Sequence, residues 1–347
     1  MSSPFRRPAA LGRAVTLLAA AAVLALAGRA SAQAAKPEDV SFPTADGVEL
    51  KGTYYPSSKG KNGPVAILLH KYGSDRTKGD WDKLAKKLQA SDKGFAVLTF
   101  DFRGHGASTS VNADFWQKPY NVASYIKGAS PKKMAISYKD FSPNYFPYLV
   151  NDIAAARRYI DQRNDAQDCN AANIFIIGAQ ESAALGFLWM AHEWQRVASP
   201  GAQARKGGQD IAGAIWLTAQ VKGPHNHTMP YTSMTNRSPD LRDKTPMSFF
   251  YGDQDRNGAN DANHFFTTVL KANQTVGGVK PSLDFKVAVK GTSLTGIELY
   301  KSPKTDELIT ENIDKVMGQR GGGAVWANRK VDEMRFEPVP LGYFGIQ

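Results

Sequence analysis

Three groups of residues have the chemistry and spacing to act together. Ser182 opens an apolar helical stretch behind the string Ile177-Gly178-Ala179-Gln180-Glu181. A hydroxyl there can serve as a nucleophile, provided that a neighbouring base takes its proton. Asp253, Asp255, Asn257 and Gly258 mimic the opening of a calcium-binding EF-hand loop. That loop needs a bidentate Glu at its twelfth position and a helix before it, whereas this chain offers His264 and a predicted strand, so no calcium site is expected. The third group is histidines: His70, His105, His192, His225, His227 and His264. His225 and His227 form a His-x-His pair with no third candidate ligand, and no metal site is expected there. No histidine follows His264.

The elements that must position these residues alternate. Val48 to Tyr55 reads as a strand, Val65 to Leu69 as a strand covered on both faces, Asp80 to Ala90 as a helix with Trp81, Leu84, Ala85 and Leu88 at helical spacing, and Phe95 to Phe100 as another buried strand. A strand, helix and strand in so short a span make a βαβ unit, hence a parallel sheet. The alternation continues with a helix from Leu149 to Gln162, a strand Ile174 to Ile177, a helix Ser182 to Arg196 and a strand Ile211 to Leu217. Met247 to Tyr251 (strand), Asp261 to Ala272 (helix), Phe285 to Val289 (strand) and Lys304 to Met317 (helix) complete it. The expected organisation is a leader over 33–47, one α/β domain over 48–317 with a lid-like insertion over 111–147, and a tail over 318–347.

Leu68-Leu69-His70 with Gly73, followed one βα unit later by Asp101-Phe102-Arg103-Gly104-His105-Gly106, resembles the third and fourth strands of the α/β-hydrolase superfamily. The nearest branches are the dienelactone-hydrolase-like and serine-peptidase-like ones. The resemblance implies a mostly parallel, doubly wound sheet flanked by helices, with an insertion after the fourth strand. It also places a nucleophile elbow at Ile177 to Ser182 and the loop of the catalytic acid at Gly252-Asp253-Gln254-Asp255. In such folds His70 and His105 brace the scaffold, and base duty falls to a later histidine.

An elbow is so tight that small residues are needed two positions before and after the nucleophile. With Gly178 and Ser182 as those small residues, the nucleophile position holds Gln180, whose amide cannot be activated by proton removal. The competing frame makes Ser182 the nucleophile and puts Gln180 where a glycine belongs. Asp255 stands as the remnant acid. The base position, after the strand Phe285 to Val289, aligns with Thr295, with Leu294 as the alternative; His264 could reach the site only from the start of its helix. Lys71 replaces a glycine common in the oxyanion loop, while the Tyr72 backbone donor is retained. Tyr72, Gln180, Glu181, Asp255 and Thr295 are the expected ligand-binding residues.

Composition sets the address. Arg6, Arg7 and Arg13, an apolar run from Val15 to Ala27 and Ala30-Ser31-Ala32 predict a signal peptide over 1–32, so the mature chain is expected in the periplasm or outside the cell with no membrane span. Losing that segment's four arginines lowers the formal charge from +11 to about +7. The basic residues are scattered, which argues against nucleic acid as a partner. Cys169 is the only cysteine, so no internal disulfide is expected. No cofactor is expected. Together these readings point to an exported pseudo-hydrolase that binds an unknown small molecule or protein. An active serine hydrolase using Ser182 or an atypical site, and a structural envelope protein working through its insertion and tail, are the alternatives.

Overall fold

The computed structural model describes residues 35–197, 206–272, 284–319 and 323–346. The expected signal peptide, 1–32, lies outside the described residues. Among them, eight strands form one sheet in the order β1-β2-β4-β3-β5-β6-β7-β8. They are β1 (Glu38–Pro43), β2 (Glu49–Tyr55), β3 (Val65–Leu69), β4 (Ala96–Phe100), β5 (Ile174–Ala179), β6 (Ile211–Leu217), β7 (Met247–Gly252) and β8 (Phe285–Val289). β1 and β2 pair antiparallel, β2 meets β4 antiparallel, and every other pair is parallel.

Burial follows the wording of each strand. β3, β4, β5 and β6 are apolar runs buried along their whole length, as strands covered by helices on both faces must be. On one face lie α1 (Trp81–Gln89) and α7 (Thr305–Gln319), contributing Leu84, Leu88, Ile309 and Ile313. On the other lie α2 (Val150–Asp165) and α3 (Ser182–Glu193), contributing Ile153, Ile160, Leu185 and Trp189. The short helices α4 (Tyr231–Arg237) and α5 (Pro239–Lys244) lie between β6 and β7, and α6 (Arg256–His264) follows β7.

The structure corrects several boundaries. The leader 33–47 contains β1, an edge strand whose half-exposed, alternating sequence hides it from an apolar-run reading; its inward Phe42 stacks on Tyr159 at 5.1 Å. The helix expected over Asp261 to Ala272 begins earlier. Asp255 caps it by accepting the Gly258 N–H at 3.0 Å, and a π turn at Phe265–Val269 follows its end. His264 therefore closes this helix instead of starting it. The segment 111–147 buries Phe115, Ile126, Phe141 and Tyr145 in the core. The final segment packs along α2: Asp165 Oδ2 accepts from Val331 N at 3.0 Å and Asn151 Oδ1 from Val339 N at 2.7 Å.

The turn after β4 carries the family-like Arg and His in bracing roles. Arg103 is fully buried and donates from Nε to Asp152 at 2.7 Å and from both Nη atoms to Asp46 at 2.6 and 3.0 Å. One guanidinium thus ties the start of β2, the β4 turn and α2 together. Asp101 accepts the N–H of Ala107 at 2.9 Å and pairs with Arg76.

Candidate functional site

β5 runs to Ala179 and α3 begins at Ser182, so Gln180 and Glu181 make the whole turn between them. Gln180 has φ +53°, the left-handed region that costs a side-chain-bearing residue about 1–2 kcal/mol. The conformation is over-determined by its neighbours. The Gln180 N–H donates to Leu217 O at 3.1 Å, and its carbonyl accepts from Ala183 N at 3.2 Å and Gln220 N at 3.3 Å. Small residues are required beneath it. A Cβ at Gly178 would lie 3.0 Å from the Trp216 ring and 3.1 Å from Ser182 Oγ.

Ser182 sits one step inside that turn and is buried. Its hydroxyl accepts the Ala179 N–H at 2.9 Å and can donate to Ala179 O at 2.8 Å or Leu69 O at 3.0 Å. The hydroxyl knits β3, β5 and α3 together, and its residue lines neither of the clefts beside Gln180.

Gln180, Asp255 and Thr295 come together from the ends of β5, β7 and β8. All three line one cleft of about 490 Å³, and Gln180 Nε2 donates to Thr295 Oγ1 at 3.4 Å. Gly296, with φ +57°, leaves room for the Gln180 side chain, which a Cβ there would meet at 3.4 Å. A second cleft of about 180 Å³ opens on the other side of the Gln180–Thr295 pair, lined by Lys71, Lys78, Trp81 and Glu298 among others. Asp255 spends Oδ1 on the α6 cap, and its buried Oδ2 has no hydrogen-bond partner. Asp253 is turned to loop support, accepting from Gly291 N at 2.8 Å and Thr292 N at 3.3 Å.

Tyr72 and Glu181 lie apart from this cleft, against the loop after β3. Tyr72 donates its hydroxyl to Tyr138 O at 3.0 Å, and its ring packs on His105 and Phe146. Burial raises the pKa of the Glu181 carboxyl, while its own backbone N–H, the Lys71 ammonium and the Tyr72 N–H pull the other way. Those two N–H groups, one following the elbow tip and one from the loop after β3, are the donors with which this fold steadies an oxyanion. The Glu181 carboxyl lies beside them, and its buried Oε2 has no hydrogen-bond partner.

The histidines after β3 and β4 are structural. His70 shares Nδ1–H with Lys71 O at 2.8 Å and accepts the Phe102 N–H on Nε2 at 3.1 Å. His105 repeats the pattern, with Arg103 O at 2.8 Å and Gly73 N at 3.0 Å. Burial lowers the first to a pKa of about 4; burial and then its neighbour His70 lower the second to about 3. Both rings are neutral, and their Nε2 lone pairs are occupied. No histidine lines either cleft among the described residues.

Sequence reasoning missed part of the cleft wall. Thr218, directly after β6, has φ +52°, an outlier for a β-branched residue. Its N–H donates to Phe250 O at 2.7 Å, and its Oγ1 accepts from Gly296 N at 3.1 Å, locking the loop that presents Thr295. Gln220, Lys222, Asn226, Asn257, Asn260 and Asp261 also line the wall. The signal available for Thr218 was its place at the carboxyl end of a parallel strand, where such sheets hold their ligands.

No protein-family model matches the chain. An uncharacterized protein of Mycobacterium tuberculosis is 36% identical over 70 residues, and the match spans 20% of this chain and only 24% of that protein's length. Solved structures align far more broadly at low identity. The Pyrobaculum calidifontis esterase aligns with a TM-score of 0.52 at 14% identity, over 86% of this chain and 90% of its own. The structure of DcsB in complex with its substrate analogue aligns with a TM-score of 0.50 at 12% identity, over 81% of this chain and 99% of that one. With the eight-stranded, mostly parallel sheet, the turn from β5 to α3 and helices on both faces, the chain has the α/β-hydrolase fold.

Proposed function

We propose that this protein is an exported pseudo-hydrolase, in which the carboxyl edge of the sheet binds a ligand or partner without turning it over. The observation that supports this reading is the pair at the turn after β5: Gln180, read as the nucleophile position, has φ +53°, and its amide donates at 3.4 Å to Thr295, read as the base position. Acyl transfer by this fold needs a nucleophilic atom at the tip and an imidazole to take its proton. A carboxamide and a threonine hydroxyl supply neither. Export rests on the N-terminal residues alone.

What remains is a binding surface. The cleft of Gln180, Thr218, Asp255 and Thr295 offers amides, hydroxyls and carboxylates, a lining that suits a hydrophilic ligand with paired donors and acceptors. The decisive experiment follows hydrolysis of a small activated ester by the purified protein from pH 6 to 9. The expected rate equals the protein-free background, and Gln180→Ala leaves it unchanged. Turnover well above background that disappears in Ser182→Ala would overturn the proposal and restore the alternative of an active serine hydrolase.

A further inference from the structure

Gln180 and Thr295 line both clefts at the carboxyl edge and form the wall between them. The charges on the two sides of that wall are opposite. The larger cleft holds the carboxyls of Asp255 and Asp261. Asp255 Oδ2 is buried without a hydrogen-bond partner, and Asp261 accepts the Val221 N–H at 3.4 Å. Burial raises the Asp261 pKa and the charge of Asp255 adds to the rise, against the pull of the Val221 N–H and His264. The cation of this cleft, Lys222, is exposed and donates to Thr228 Oγ1 at 2.9 Å. The smaller cleft holds Lys71 and Lys78, and its acid, Glu298, is paired with Lys301. Asp75 and Glu181, whose charges Lys78 and Lys71 stabilise in turn, lie outside that lining. Among the described residues, none of Lys71, Lys78, Asp255 and Asp261 is in an ion pair.

Topology sets the distance between these charges. The lysines follow β3 and Asp255 follows β7, and the order β3-β5-β6-β7 puts three inter-strand steps between those strand ends. At about 4.8 Å per step the span is roughly 14 Å. An extended chain covers about 3.3–3.6 Å per residue, so roughly four residues bridge it. The wall of the larger cleft carries the amides of Gln180, Gln220, Asn226, Asn257 and Asn260. Each offers donors and an acceptor to the N–H and C=O groups of a peptide. The partition between the clefts is weak, because the Gln180–Thr295 bond, at 3.4 Å, is longer than the usual range of about 2.7–3.2 Å.

We propose that the two clefts form one site for a short peptide with both termini free, about four residues long, its amino end held by Asp255 and Asp261, its carboxyl end by Lys71 and Lys78, and its middle crossing Gln180. This names the ligand of the binding surface assigned above and rests on that reading.

Isothermal titration calorimetry with glycine oligomers tests it on the full protein. Tetraglycine should bind saturably, and more tightly than diglycine, which is too short to engage both ends. Acetylating its amino end or amidating its carboxyl end should each weaken binding roughly tenfold, as the loss of one charge-assisted hydrogen bond does. Asp261→Asn should weaken tetraglycine similarly and leave N-acetyl-tetraglycine unaffected. Lys71→Gln combined with Lys78→Gln should weaken tetraglycine and leave tetraglycine amide unaffected. Lys61→Gln, at the amino edge of the sheet, should change none of these affinities. Heat that never saturates, diglycine binding as tightly as tetraglycine, or free and blocked peptides binding alike overturns the proposal, and the blocked peptides decide it without any variant, should one fail to fold. Mass analysis of the recovered peptide separates this proposal from the reading beneath it. A peptide that binds with these end preferences and is cut overturns the absence of turnover alone, whereas an intact peptide bound without end preferences overturns the ligand alone.

Discussion

Acid should unfold this protein through His70 and His105, and the size of the effect follows from their geometry. Each ring donates from Nδ1 to a carbonyl and accepts a backbone N–H on Nε2. A second proton would have to sit on Nε2, facing a donor. The folded-state pKa values, about 4 and about 3, lie below the roughly 6.5 of an unfolded histidine. The unfolded chain therefore binds more protons below pH 6.5, and stability falls as pH falls. The full contribution is present above about pH 7, begins to drain near 6.5 and continues to drain until the folded pKa values are reached. Each histidine costs about 1.4 kcal/mol per pH unit well inside that window and about half that at its upper edge, so the two together cost roughly 2 kcal/mol between pH 6.5 and 5.5. Against a typical total of about 5–15 kcal/mol, that loss is large. Urea unfolding followed by tryptophan fluorescence at pH 7.5, 6.5, 5.5 and 5.0 measures it. His105→Gln, whose amide can reach the Gly73 N–H, lowers stability at all pH values but should make the slope shallower by about 1 kcal/mol per unit between 6.5 and 5.0. Equal slopes for the variant and the unmodified protein would refute the assignment of a neutral, depressed histidine.

Other predictions concern the elbow. Gln180→Ser alone should produce no measurable esterase activity. Paired with Thr295→His, which places an imidazole on the residue now 3.4 Å from the Gln180 amide, it should exceed either single change, since a positioned base contributes about 10²–10⁴ in rate. Asp255→Asn in that background should remove the gain. Ser182→Ala should lower stability by about 1–3 kcal/mol, because the Ala179 N–H loses its acceptor in a buried site; chemical denaturation checks this. Gly178→Ala should cost a similar 1–3 kcal/mol by driving a methyl group into Trp216 and Ser182, seen as a lower Tm with near-normal secondary structure.

Much of this fold was legible because its central strands are unbroken apolar runs. β3, β4, β5 and β6 each read correctly to within a residue or two, since strands covered on both faces leave no alternation to misjudge. β1 escaped because Asp39, Ser41 and Pro43 keep one face of an edge strand in solvent, and such alternation in six residues is weak. The start of α6 escaped because its cap, Asp255, reads as a catalytic acid or a cation ligand, although an aspartate before a helix is equally a capping residue. The tight turn at Gln180 was expected from the family-like spacing of Gly178 and Ser182, and Gln180 has φ +53°. Thr218 was not: its importance lies in a left-handed backbone and a bond to Gly296, 78 residues away in sequence, and no local pattern encodes such a partner.

The central claim is that no activated nucleophile exists at the turn between β5 and α3. Incubating the purified protein with a fluorophosphonate and weighing the intact chain tests it most directly, because the probe reports an activated hydroxyl whatever the natural substrate. With Gln180 at the tip and the Ser182 hydroxyl bonded to Leu69 and Ala179, the predicted mass is that of the unmodified chain. A stoichiometric adduct that maps to Ser182 would contradict the account.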